Sequence, residues 1–166
     1  MRRYLVLIVF VFFTPWVRAS NDAFESPIHF QNHQELFGYI ARQNELNEDD
    51  ETLLKLASDS QVEYFSRNSI SPLRAVIMAN WIKTGKLQGV NQIRGHSGNG
   101  MFYVVEFSLS GIDLIGILEG NGWQRSIKNG HEIITTWHMC TVDSIERVYQ
   151  FNGRVFEQTQ SHTVKK

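Results

Sequence analysis

Four Asn-Gly dipeptides punctuate the second half of this chain: Asn99-Gly100, Asn121-Gly122, Asn129-Gly130 and Asn152-Gly153. Both residues tolerate the positive φ of a type I′ turn, so Asn-Gly between apolar segments is a strong local signal for a hairpin. Ser110-Gly111 adds a fifth turn, and the intervening segments are short and rich in Val, Ile, Phe, Tyr and Trp. From Gly89 to Gln160 the pattern predicts an antiparallel meander of six or seven strands. They fall near residues 88–96, 101–109, 112–119, 122–127, 131–139, 144–151 and 154–160. In the second, Met101, Tyr103, Val105, Phe107 and Leu109 share one face by the period of two. In the third, Ile112, Leu114 and Leu118 oppose Asp113 and Glu119, and Ile115 and Ile117 are also apolar, which suits a central strand covered on both sides. The polar tail Ser161–Lys166 is expected to fray.

The preceding third of the chain has helical spacing. Asn32 is placed to cap a helix running to about Gln43, with Glu35 three residues on as in a capping box. Leu36, Phe37 and Ile40 form its apolar stripe. A second helix is expected to start near Asp49 or Asp50, whose carboxylates favour the positive end of the helix dipole. If it continues to about Arg67, Leu53, Leu54, Ala57, Val62 and Phe65 share a face; the alternative is a break at Ser58-Asp59-Ser60. Ser71-Pro72 predicts the start of a third helix, carrying Leu73, Val76, Ile77 and Trp81 and ending at Gly85.

Helices first and strands afterwards is the order of an α+β domain. The expectation is N-terminal helices packed on an antiparallel, curved, six- or seven-stranded β-meander. The helical part covers about 32–85 and the meander about 88–160, within a single domain of residues 20–166. The absence of βαβ alternation argues against a parallel nucleotide-binding sheet.

Residues 1–19 have the pattern of a secretory signal peptide: a basic Met1-Arg2-Arg3, an apolar run from Tyr4 to Phe13, and small residues before a cut after Ala19. Ten apolar residues reach only ~15 Å as a helix, about half a bilayer core, so no membrane span is expected after signal cleavage. The expected location is the periplasm or the extracellular space. Cleavage takes three of the 16 basic side chains and none of the 17 acidic ones, leaving a formal charge of −4. That argues against nucleic acid as a partner, which would call for a basic face. The single cysteine, Cys140, leaves an exported chain without an internal disulfide.

No motif assigns a catalytic set. The loop His96–Gly100 leads into a strand rather than a helix and lacks the Lys-Ser/Thr ending of a phosphate loop, so it reads as a turn. His138 and Cys140, at i and i+2 on a strand, point to one face, where an imidazole could generate a thiolate nucleophile. His131, Glu132 and Asp143 are near enough in sequence to orient that histidine. An exported cysteine-dependent hydrolase is therefore one alternative. Glu106, Asp113 and Glu119 read as the solvated face of adjacent strands. The six histidines form no metal-binding motif, and no metal or other cofactor is expected. The aromatic residues Trp123 and Tyr149, if exposed, are natural anchors for a partner. With His96, Asn99 and Asn121 they define an expected binding surface at hairpin tips. The leading expectation is a small exported binding protein, an inhibitor or immunity-type protein whose partner is another protein in the periplasm or extracellular space. A pocket in the sheet for a small ligand or lipid is the other alternative.

Overall fold

In a computed structural model describing residues 24–44, 46–66, 68, 71–79, 100–139 and 143–165, the described residues form two helices and nine strands. A five-stranded sheet contains β1 (Ile28–Phe30), β2 (Gln61–Phe65), β3 (Arg74–Met78), β4 (Gly100–Ser108) and β5 (Gly111–Gly120), in the order β1-β5-β4-β3-β2. A four-stranded sheet contains β6 (Gly122–Lys128), β7 (His131–Met139), β8 (Asp143–Phe151) and β9 (Phe156–Lys165), in sequence order. All pairings are antiparallel. The helices are α1 (His33–Gln43) and α2 (Asp50–Asp59). The α+β class holds; a single curved meander does not, and the helices follow β1 rather than opening the fold.

The division into two sheets is made at Asn121-Gly122. Here the chain does not turn back as a hairpin but leaves the first sheet and starts the second. Asn121 donates its amide to the Trp137 carbonyl at 2.9 Å. A Cβ on Gly120 would lie 2.9 Å from Thr136 Cβ, and one on Gly122 2.3 Å from Trp137 Nε1. The glycines thus allow backbone and side chain to approach more closely than any other residue permits. Hairpins do form at Ser110-Gly111, Asn129-Gly130 and Asn152-Gly153, joining β4 to β5, β6 to β7 and β8 to β9.

Helix α1 starts as its sequence demands: Glu35 donates its amide to Asn32 Oδ1 at 3.0 Å, and Glu35 Oε2 accepts from the Gln31 amide at 2.8 Å. Asp49 caps α2 through the Thr52 amide at 2.8 Å. The second helix ends at Asp59, within the Ser58-Asp59-Ser60 run, rather than at Arg67, because Ser60 turns extended and Gln61–Phe65 pairs with β3. Its buried residues are Leu53 and Leu56, whereas Leu54 is 72% exposed. The predicted third helix is also corrected: Arg74–Met78 is a strand between β2 and β4. An Ala-Val-Ile-Met run buried on both faces satisfies either period, and its β-branched residues suit the pleated sheet. The rest of that helix and the strand expected near 88–96 lie largely outside the described residues. The tail is not frayed through Lys165, since Ser161–Lys165 pair with Asp143–Arg147 of β8 beyond a bulge at Thr159.

The five-stranded sheet is the middle layer. On one side it packs on the helices, through Leu36, Phe37, Ile40, Leu53 and Leu56 against Ala75, Ile77, Tyr103, Val105 and Leu114. On the other, Val76, Phe102, Val104, Ile115 and Leu118 meet Ile134, Tyr149 and Phe156 of the second sheet. A bulge in β5 sets this division: Val104 pairs with Gly116 but Val105 with Leu114, leaving Ile115 without a partner in register. One extra residue reverses the alternation. Leu118 therefore faces the second sheet while Ile112 and Leu114 face the helices, so the three do not share the side expected of them.

Candidate functional site

Charged side chains are held between the sheets at one end of the sandwich. Arg74 pairs in register with Glu106, and both side chains point toward the second sheet. Arg74 Nε donates to Glu106 Oε2 at 2.7 Å, and its Nη1 to Glu132 Oε2 at 2.7 Å. Glu132, on β7, also accepts at Oε1 from Arg125 Nε of β6 at 2.7 Å. Arg74 is 9% exposed and Glu132 4%. Charges so far from water need opposite charges and full hydrogen bonding, and here two carboxylates alternate with two guanidiniums.

Aromatic faces complete the packing. The Arg74 guanidinium carbon lies 4.1 Å from the Phe151 ring centre, and that of Arg125 4.8 Å from the Phe65 ring centre. Both are within cation–π range, and the planar guanidinium stacks where an ammonium would not. Arg125 Nη2 also donates to the Ser66 carbonyl at 3.3 Å.

Above this network opens a cleft of about 440 Å³. Arg74, Glu132 and Phe151 line its floor, Ser71 and Pro72 one wall, and His131, Gln150 and Asn152 the opposite rim. The rim is built from two hairpin tips. At one, Asn129 and Gly130 have φ of 52° and 79°. At the other, Asn152 Oδ1 accepts the amides of Arg154 at 2.8 Å and Val155 at 2.9 Å, while Gly153 takes φ 101°. An Asx turn of this kind holds the loop stiff. The cleft is open, polar at its rim, and floored by an immobilised cation.

The residues expected from sequence are scattered. Asn121 is exposed at the corner between sheets, and Trp123 is half-buried against the inter-sheet core. Tyr149 is no surface anchor: it is 6% exposed and its hydroxyl accepts from the Glu119 amide at 3.2 Å. Burial raises its pKa above the ordinary tyrosine value. His138 is 5% exposed on the inner face of β7, with no hydrogen-bond partner for Nδ1 among the described residues. His131 is exposed at the other end of that strand, seven residues and about 23 Å away, so it does not orient His138. His96, Asn99 and Cys140 lie outside the described residues. Among the described candidates His131 lines the cleft, and so does Glu132, named from sequence as a partner for His138.

The remaining cleft residues escaped the sequence. Glu106 read as a solvated acid, yet it faces inward to Arg74. The signal was an arginine at the head of the buried run Arg74–Met78, and a glutamate whose period of two matches Ile134 and Thr136. Among the described residues no group of three or more His, Cys, Asp or Glu is arranged to hold a metal ion, and no helix is long and apolar enough to cross a membrane. The space between the sheets is filled by Val76, Phe102, Val104, Ile134 and Phe156, and the open volume lies at the rim. No family model, curated protein or solved structure matches the chain.

Proposed function

We propose that this chain is an exported protein that works by binding another protein, as an inhibitor or immunity-type protein does, and that the cleft between the hairpin tips receives a polar side chain of that partner. The observation that carries the reading is the construction of the cleft. Two stiff reverse turns frame an opening over an arginine held in place by two carboxylates and an aromatic ring. Such a floor is ready before a partner arrives, so little side-chain ordering opposes association. The rim supplies hydrogen-bonding groups of varied type in His131, Gln150, Asn152 and Ser71, which suits recognition. The signal-like leader and the acidic balance of the remaining chain support an exported role.

The test is capture from the native compartment with residues 20–166 as bait, followed by titration of the captured protein. His131→Ala combined with Gln150→Ala is expected to weaken binding by about tenfold or more, the range of a disrupted anchor site. Unchanged affinity in the double variant would remove the cleft from the interface. Substrate turnover lost on Cys140→Ser would replace the binding reading with the hydrolase.

A further inference from the structure

A second surface lies on the helical layer, on the far side of the middle sheet. A groove of about 440 Å³ runs between α1 and α2, lined by His33, Gln34, Phe37, Leu53, Leu54 and Ala57, with Asp50 at its edge. Leu54 is 72% exposed in it. The apolar surface continues beyond the groove: the Phe107 ring centre lies 6.1 Å from that of His33 and 6.0 Å from that of Tyr64, itself 59% exposed. An elongated apolar strip of this kind fits a length of polypeptide better than a compact small molecule.

Charge states what that polypeptide should carry. Between His33 and Asp59 the sequence holds seven acidic side chains against Arg42 and Lys55, a net charge of −5. The chain left after a cut at Ala19 carries −4, so the acidity belongs to this layer and the rest of it is close to neutral at +1. Glu35, Asp49, Asp50 and Glu51 are all exposed around the first turns of the two helices. An acidic rim beside an apolar groove complements a segment with apolar anchors and flanking Lys or Arg, and repels an acidic one.

We propose that the α1–α2 groove docks a basic, amphipathic segment of a partner protein, with Leu54 as the central contact. The proposal is independent of the cleft at the hairpin tips and of whatever binds there.

The probe is a fluorescein-labelled 18-residue model peptide with Leu at i, i+3, i+4 and i+7 and Lys elsewhere, compared with its Glu counterpart by fluorescence anisotropy. The Lys peptide is expected to bind, more weakly as salt rises, and the Glu peptide not to bind. Leu54→Glu separates groove docking from mere attraction between charges. It adds a negative charge, so simple electrostatic attraction would strengthen, whereas loss of the apolar contact is expected to weaken binding about tenfold. Leu54 is exposed, so the variant is expected to fold, and circular dichroism checks this. Should Leu54→Glu destabilise α2, Ala57→Gln, which fills the groove without adding charge, must weaken the Lys peptide in the same way. Failure of the Lys peptide to bind, or equal or tighter binding by Leu54→Glu, overturns the proposal. So does self-association of the wild-type protein that Leu54→Glu abolishes, since the groove would then be covered by a second copy.

Discussion

Arg74 and Glu132, 58 residues apart in sequence and on different sheets, meet through a 2.7 Å hydrogen bond with both side chains almost wholly removed from water. This contact joins the two sheets at the floor of the cleft. Removing one member strands the other, and also deprives Arg125 of its carboxylate. Glu132→Leu is therefore expected to cost about 3–5 kcal/mol of stability. Adding Arg74→Met to that variant should cost less than Arg74→Met alone, with a coupling of about 1–3 kcal/mol in urea denaturation. Strict additivity would mean that the pair is no energetic unit.

Gly130 of Asn129-Gly130 and Gly120, just before Asn121-Gly122, should fail by two different mechanisms. Gly130, at φ 79° with nothing near its missing Cβ, has only backbone conformation at stake, and Gly130→Ala should cost about 1–2 kcal/mol. Gly120 has no such φ, but a Cβ there would meet Thr136 Cβ at 2.9 Å and the Trp137 carbonyl at 3.1 Å. Gly120→Ala should cost about 1–3 kcal/mol through overpacking. Thr136→Gly, which removes the obstructing Cβ, should reduce the penalty at Gly120 and leave that at Gly130 unchanged, as measured by urea denaturation of the single and double variants.

Tyr149 links stability to alkaline pH. Burial raises its pKa, opposed by the hydrogen bond from the Glu119 amide and by Arg147. The phenol thus holds its proton in the folded state at a pH where the unfolded chain has released it. Its contribution is complete below the ordinary tyrosine value near 10 and is lost as pH rises from there through the folded value. Thermal melting of the wild type should fall more steeply between pH 9.5 and 11 than that of Tyr149→Phe, which has no proton to lose. Parallel curves would show that Tyr149 titrates alike in both states.

At the start of α1, Asn32→Ala removes the acceptor of the Glu35 amide and should cost about 1 kcal/mol. Asn32→Asp should restore it, aided by a carboxylate at the positive end of the helix. Chemical denaturation of the three proteins checks both, and equal stability of Asn32→Ala and wild type would exclude the cap.

Local chemistry made these caps legible in the sequence, as it did the hairpins at Ser110, Asn129 and Asn152, because the deciding atoms lie within four residues of one another. The misread elements were those settled by distant neighbours. Arg74–Met78 becomes a strand because β2 and β4 stand on either side of it. Leu118 changes face because Ile115 bulges, which no period of two reveals. Asn121-Gly122 carries the same two residues as Asn129-Gly130, yet it becomes a corner because β6 pairs with β7 in the second sheet rather than with β5, which lies between β1 and β4 in the first. The cleft was illegible for the same reason: its floor needs Arg74 and Glu132, which only the stacking of two sheets brings together.

The strand orders carry a consequence for how the molecule assembles. The four-stranded sheet joins only consecutive strands, so it can grow hairpin by hairpin. In the five-stranded sheet β1 must find β5, as the His29–Asp113 contact across 84 residues makes plain. Closing so large a loop is entropically slow, and the expected folding order places the last four strands first and β1 last. Pulse-labelled hydrogen exchange that protects Ile28–Phe30 before Ile133–Thr136 would reverse that order. For a chain delivered amino terminus first, the earliest strand to emerge is then the one that waits longest for its neighbour.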